Sequence, residues 1–467
     1  MRVLLLNPPG DRIYMRANYC TGTAKANAYW QPIDLAVQSG VLSAQHEVFV
    51  IDAIAERLSG GAVARRVEAL KLDAIFFITA SCSWKDDLQF LSALKGMTGV
   101  KLIASGGFLL EMGEQVLREH AFLDAVLTDF TSDGLLAFMD GRFDDVTDVI
   151  YRAEGGEIVS RQNREARHEF AYPAPRHELF PLTRYRLPWA QPRPMATMIT
   201  SLGCPFSCTF CSNQLRTYRT RNVENVTQEL LYLDSIGIHE LHFVDYNFIV
   251  GKERAVELLR AIISLGKRFS FDCINRVDTL DDELCRLLKE AGCHSIQLGV
   301  ESGEDSILAK YAKGMTTEVI REGFNLCKKH GIRTIGFFLI GLPGETETTI
   351  RTTIEFAQEL DCDFASFATV DPYIGTKLRE DAIKAGYITE DDTQFDGGAY
   401  TAIGTEQLSR ERVWRLRNEA VRRFYFRPSY IVKKLRMARN PATVWGYALD
   451  AFAMLRNMAS KSPKSKV

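Results

Sequence analysis

The sequence predicts an α/β protein: an N-terminal doubly wound parallel sheet, then a partial (βα)6 barrel, then a helical, basic C-terminal region. Two observations carry this. Apolar strand-like runs alternate with helix-like runs over residues 2–127, and again, six times, over residues 195–371; that alternation belongs to parallel sheets joined by helices. A proline-rich stretch separates the series, with Tyr172-Pro-Ala-Pro175 and Pro188–Pro194, as an extended connection requires. The expected divisions are a sheet domain over 1–135, a linker over 136–194, a barrel over 195–400 and a helical region over 401–467.

In the first domain, strands are expected at Arg2–Asn7, Glu47–Asp52, Leu72–Ala80, Val100–Ser105 and Phe122–Leu127. Helices are expected at Pro32–Ala44, Gly61–Leu70 and Met112–Glu119. Ligands of open parallel sheets bind beyond the carboxyl ends of strands. Those ends are small or polar here: Asn7-Pro-Pro-Gly10, Thr79-Ala-Ser-Cys82, Ser105-Gly-Gly107 and Thr128-Asp129.

The barrel strands are expected at Ala196–Ser201, His239–Asn247, Phe269–Asn275, Ser295–Glu301, Arg333–Ile340 and Phe364–Asp371. Between them lie amphipathic helices at Val226–Ser235, Lys252–Leu265, Asp281–Lys289, Thr317–Lys329 and Thr346–Leu360. Asp281 and Thr317 suit helix starts, and Gly292 and Gly331 suit helix ends.

Bulk properties exclude several classes. A formal net charge of −2 over 467 residues argues against an electrostatic footprint for nucleic acid. Ten scattered cysteines are too few for a disulfide scaffold and favour a reducing cytosol. The start, Met1 to Pro9, reads as a first strand rather than a signal peptide. No run of about 18 uncharged apolar residues suggests a spanning helix. Charge is uneven, however. Residues 410–467 hold fifteen Lys or Arg against three acidic residues. They read either as helices packed on the barrel with a basic outer face, or as a peripheral contact with anionic membrane.

One turn carries chemistry. Cys204, Cys208 and Cys211 are spaced Cys-x3-Cys-x2-Cys, and the next cysteine is Cys273. A closed structural zinc site wants four ligands. Three thiolates on a tight loop suit a [4Fe-4S] cluster with one open iron. Three ordinary buried cysteines, or half of a zinc knuckle, are the alternatives. Cys273, Cys285, Cys293, Cys327 and Cys362 read as small buried hydrophobes.

The cysteine spacing, with Phe210 before the last cysteine, resembles the signature of the radical SAM superfamily. There the open iron chelates S-adenosylmethionine, which one electron cleaves to a 5'-deoxyadenosyl radical. The six βα units resemble that superfamily's partial TIM-type barrel, whose chemistry sits on the loops after the strands. The resemblance extends to each strand end in order. It implies Asp245 at the amino group of the methionine moiety, and Arg276 at its carboxylate, at a propionamide or in a surface ion pair. It implies Glu301 and Ser302 at the ribose hydroxyls and the methionine carboxylate, and Gly341 and Gly344 in an adenine-binding turn. Asp245 stands where the family more often has Gly-Gly-Glu.

The first domain resembles the cobalamin-binding domain that precedes the barrel in one large radical SAM subfamily. That implies Ser81, Ser105, Gly106 and Gly107 beside the cobalamin nucleotide tail. No Asp-x-His-x-x-Gly motif occurs, and the early histidines are His46 and His120, so no histidine ligation of cobalt is expected. The cofactors implied are the cluster, S-adenosylmethionine and cobalamin, with flavodoxin or ferredoxin as electron donor.

The leading expectation is methylation of an unactivated carbon in a small hydrophobic substrate. Oxidative cyclisation or rearrangement is the alternative. The ending Phe424-Tyr-Phe-Arg-Pro-Ser-Tyr-Ile431 resembles that of the anaerobic magnesium-protoporphyrin ester cyclases. A cobalamin sensor with an inert barrel is a third, non-enzymatic reading, opposed by the intact cysteine triad. Tyr373, in the turn after the sixth strand, is read first as packing and second as a proton donor near substrate. Aromatic residues of the Asn18–Trp30 loop and the tail hint at an apolar substrate.

Overall fold

The computed structural model describes residues 1–17, 20–161, 168–191, 193–212, 216–437 and 441–459. Parts of the Asn18–Trp30 loop, Pro192, Asn213 and the last lysines lie outside them.

Seven strands form the first sheet. β1 (Arg2–Asn7) leads to a hairpin of β2 (Tyr14–Ala17) and β3 (Cys20–Thr23). Then come β4 (Glu47–Asp52), β5 (Ala74–Ile78), β6 (Lys101–Ser105), β7 (Ala125–Leu127), β8 (Val149–Arg152) and β9 (Ile158–Arg161). The sheet order is β4-β1-β5-β6-β7-β8-β9, parallel through β7 and antiparallel after it. Residues 149–161, read from the sequence as linker, therefore lengthen this sheet. Their strands are short, and no helix separates them, so the alternation used to find strands passed them by.

β1 shows why the sheet is covered on both faces. Val3 and Leu5 point into one apolar cluster, and Leu4 and Leu6 into another; all four are fully buried. Strands buried on both faces read as unbroken apolar runs. The cluster around Val3 continues without a break into the core of the second domain.

The rest of the linker is a strap. β10 (Glu169–Phe170) leads to β11 (Met195–Met198), β12 (Ser201–Leu202) and β13 (Arg219–Arg221), and β10-β13-β12 make a small sheet. His177 bridges Gln31 of the first domain, at 3.1 Å, and Glu229 of the second, at 2.9 Å. Glu229 also holds the buried Arg221. A buried charge pair needs such extra hydrogen bonds to be tolerated.

The barrel strands are β11, β14 (Glu240–Phe243), β15 (Ser270–Arg276), β16 (Cys293–Glu301), β17 (Arg333–Ile340) and β18 (Phe364–Thr369), all parallel and in sequence order. Five helices fall close to their expected bounds; the helix Thr317–Lys329 matches, though its cap is Thr316. Asp281 caps the helix Asp282–Ala291. The five cysteines expected to be buried are buried.

Three helices come last among the described residues: Arg410–Tyr425, Pro428–Met437 and Pro441–Ala459. The first packs on β18. Tyr425 Oη donates to Ala365 O at 2.7 Å, and Tyr430 Oη to Asp363 O at 2.9 Å. The segment 424–431 that resembles the cyclases is thus a clamp on the barrel, which explains its presence without specifying a reaction.

Candidate active site

The cysteine loop projects from the small sheet beside β11. Gly203 turns it with φ +79, and a Cβ there would meet Thr217 O at 2.5 Å, so only glycine fits. Thr209 bonds both ways: its N donates to Tyr311 O, and its O accepts from Leu378 N, each at 3.1 Å. Phe210 packs edge-on to Tyr311. The loop is therefore fastened to the loops after β16 and β18.

Arg276, at the end of β15, organises this loop. Its Nη1 donates to Cys208 Sγ at 3.5 Å, and its Nη2 to Lys313 O at 2.6 Å. It also pairs with Asp278 at 2.7 Å and lies over the Phe206 ring at 4.0 Å. Burial leaves the Cys204 thiol raised on balance, with the Phe206 backbone, Arg276 and Lys313 opposing it. Cations beside cysteines favour the thiolate that ligates metal. Among the described residues no three His, Cys, Asp or Glu side chains converge on one ion.

The other strand ends differ in part from the sequence expectations. A bulge between Gly299 and Glu301 shifts the register of β16, and Glu301 takes φ +68. Glu301 consequently faces the cavity described below and pairs with Lys313 at 2.9 Å. Ser302 is turned away. Its hydroxyl meets Thr353 Oγ1 at 3.2 Å and accepts from Glu304 N, so it caps a loop rather than lining the cavity. Asp245 is fully buried, and its Oδ1 accepts from Thr200 N, Thr200 Oγ1 and Ser201 Oγ at 2.7–3.0 Å. It fixes the chain that enters the cysteine loop. In the Gly341–Gly344 turn, Gly341 N and Leu342 N both donate to Glu345 Oε2 (2.8 and 2.9 Å), and Gly344 N donates to Glu406 Oε2. These amides are occupied by the protein itself. Arg276 is tied to the cysteine loop and at the same time pairs with the exposed Asp278.

In the first domain, Ser81 and Gly107 line the cavity. Ser105 is buried and donates to Asp34 at 3.4 Å. A Cβ on Gly106 would meet Thr79 O at 2.5 Å, so this glycine serves close strand-end packing.

One cavity of about 790 Å³ joins the two domains. Its upper wall holds Ser81, Gly107, Phe210, Cys211, Glu301 and Asp371, from strand ends of both domains. Its side follows the barrel interior past Ile274, Gln297 and Phe337. Its far wall is made by Phe364, Trp189 and the last two helices. The hairpin contributes Met15, Thr21 and Thr23, while neither His46 nor His120 reaches the cavity. Instead His46 pairs with Asp140, and His120 packs on Trp84.

Two cavity groups escaped the sequence reading. Asp371, after β18, accepts from Gly397 N at 2.8 Å, while its Oδ1 has no partner among the described residues. Burial, reinforced by Asp396, pushes its carboxyl up to about 7. Tyr373 also lines the cavity, with its hydroxyl 3.4 Å from Asp371. Lys434 is buried with its amine 3.5 Å from the Phe364 ring centre and without a hydrogen bond among the described residues. Burial lowers it to about 7. A strand-end carboxylate followed by proline was a weak signal for the first; a lysine inside a basic tail gave none for the second.

Comparison with known proteins agrees with this geometry. Residues 198–357 match the Radical SAM superfamily. An uncharacterized methyltransferase of Pyrococcus horikoshii is 29% identical over 93% of this chain and 95% of its own. The anaerobic magnesium-protoporphyrin IX monomethyl ester cyclase of Rubrivivax gelatinosus is 25% identical over 80% of this chain and 68% of its own. The structure of the cobalamin-dependent S-adenosylmethionine radical enzyme OxsB, with aqua-cobalamin and S-adenosylmethionine bound, superposes with a TM-score of 0.69. It covers 98% of this chain and 71% of its own at 16% identity. With its cysteine loop at the first strand end of a six-stranded partial barrel, behind a doubly wound sheet, the chain is similar to the radical SAM superfamily over residues 198–357 and shares the fold of OxsB.

Proposed function

We propose that this chain is a cobalamin-dependent radical SAM methyltransferase acting on an unactivated carbon of a small hydrophobic substrate. The observation that carries this is the shared cavity. Ser81 and Gly107 of the cobalamin-type domain face the same space as Cys211 and Glu301 of the barrel. When bound, the cluster and S-adenosylmethionine supply a 5'-deoxyadenosyl radical, and cobalamin supplies a methyl group.

The protein's own work is positioning. Cys204, Cys208 and Cys211 hold the cluster, and Arg276 orients Cys208 from behind. Glu301, held by Lys313, presents a carboxylate to ribose hydroxyls. Ser81 and Gly107 leave room for the cobalamin tail, and the hairpin offers cobalt no imidazole. Ile274, Phe337, Trp189 and Phe364 make the walls apolar, excluding water from a site where a carbon radical must meet only its substrate. Asp371 is suited to exchange a proton with a substrate group near neutral pH. An electron donor such as flavodoxin or ferredoxin completes the reaction, and the basic C-terminal region touches anionic membrane from the cytoplasmic side.

Likeness to the ester cyclases supports oxidative cyclisation as a second reading. Product analysis separates the two. Methyl transfer yields S-adenosylhomocysteine together with 5'-deoxyadenosine. Formation of 5'-deoxyadenosine alone, with substrate consumed, would replace methyl transfer with cyclisation or rearrangement.

A further inference from the structure

Exposed large apolar side chains are concentrated in one region. Of thirteen such residues among those described, eight lie between Phe426 and Leu455, on and beside the last two helices. Phe426, Ile431, Leu435 and Val444 are both exposed and part of the cavity wall. They therefore form its mouth. Val432, Leu449, Phe452 and Leu455 surround that mouth from outside; Phe452 is 66% exposed.

The sequence around this patch is mostly basic, although Arg423, Arg427 and Lys433 pair with acidic residues of the barrel and its neighbours and Lys434 is buried. Residues 420–467 contain eleven Lys or Arg and a single acid, Asp450. Asp450 is already paired with Arg186 at 3.0 Å. Arg436 and Arg456 stand exposed on the patch helices. Paired helices with an apolar face and a basic flank lie in the interface of an anionic bilayer. No described helix is long and apolar enough to cross one. A contiguous apolar patch of this kind on a folded chain marks an interaction site.

We propose that the last two helices dock on an anionic lipid bilayer and that the cavity mouth opens there, so that the substrate is a bilayer-resident lipid entering from the membrane. This rests on the reading of the cavity as a substrate site. Acyl or isoprenoid chains match its apolar walls. Entry opposite the cysteine loop leaves the strand-end side to the cofactors.

The test is flotation of the full chain with vesicles of phosphatidylcholine mixed with phosphatidylglycerol, and with phosphatidylcholine alone. The chain should float with the mixed vesicles and respond to salt, as surface electrostatics do. Arg456→Gln should weaken binding roughly fivefold, the effect of about 1 kcal/mol for one basic residue near the surface. Phe452→Glu with Leu455→Glu should abolish it, while iron content and reductive cleavage of S-adenosylmethionine stay at wild-type levels. A chain that floats with neither vesicle overturns the proposal. So does self-association, by light scattering, that the Phe452→Glu change disrupts, because the face then belongs to a second copy. Loss of radical chemistry in a chain that still floats would count against the proposed reaction and leave the docking face standing.

Discussion

The two halves of the cavity roof are built in opposite ways. On the barrel side, three strand ends carry charged and polar groups already engaged by the protein: Arg276 with Cys208 and Lys313 O, Glu301 with Lys313, Glu345 with the Gly341 and Leu342 amides. On the first-domain side, the strand ends themselves are small, Ser81 and Gly107, with Phe108, Leu110 and Glu111 following, and Gly106 beside them has no space for a side chain. The barrel thus fixes geometry and charge before any cofactor arrives, which is how preorganised sites act. The first domain contributes shape. Damage to the barrel side should stop the chemistry; damage to the other side should remove one cofactor and spare the rest.

The largest effect is expected at the loop itself. Cys208→Ala should reduce 5'-deoxyadenosine formation to background and lower iron content; retained cleavage would break the cluster assignment. Arg276→Met should follow, with cleavage reduced about 10–100-fold, as when a partner behind a metal ligand is removed. Its check is cleavage rate normalised to iron. Ser81→Leu sharpens the contrast. Filling the open end costs about 1–3 kcal/mol of overpacking for anything bound there, so copurifying cobalamin should fall with iron unchanged. A parallel loss of iron would show that the two sides are not independent.

The smallest effect is on stability. Folded Asp371 keeps its proton up to about 7, whereas the unfolded chain releases it near 4. Its stabilising contribution is complete below the unfolded value and is lost as pH rises through this window. Each such group adds a slope of about 1.4 kcal/mol per pH unit. Asp371→Asn should remove that slope between pH 5 and 7, about 1.4 kcal/mol per unit, measured by urea denaturation.

The comparison also bears on what could be read from the sequence. Alternating apolar runs located both sheets because each helix sits between two strands. Arg333–Ile340 and Glu47–Asp52 have their expected bounds. The cysteine spacing marked the loop for the same local reason. Side-chain direction was harder. Ser302 was expected beside Glu301 in the site, but a bulge and the positive φ of Glu301 send the two apart. Asp245 was expected at a ligand, yet its partners Thr200 and Ser201 lie some 45 residues earlier in the chain. Lys434 and Phe364 meet only because the chain returns over the barrel. Such long-range closures leave no periodic trace.

The central claim is that one cavity serves two cofactors held by two differently built domains. Its most direct test is anaerobic purification from cobalamin-fed cells, followed by quantitation of cobalamin, iron and sulfide. The account predicts about four irons and about one cobalamin per chain, the iron of a single [4Fe-4S] cluster. About four irons without cobalamin would contradict it, leaving a radical SAM barrel whose first domain serves another purpose.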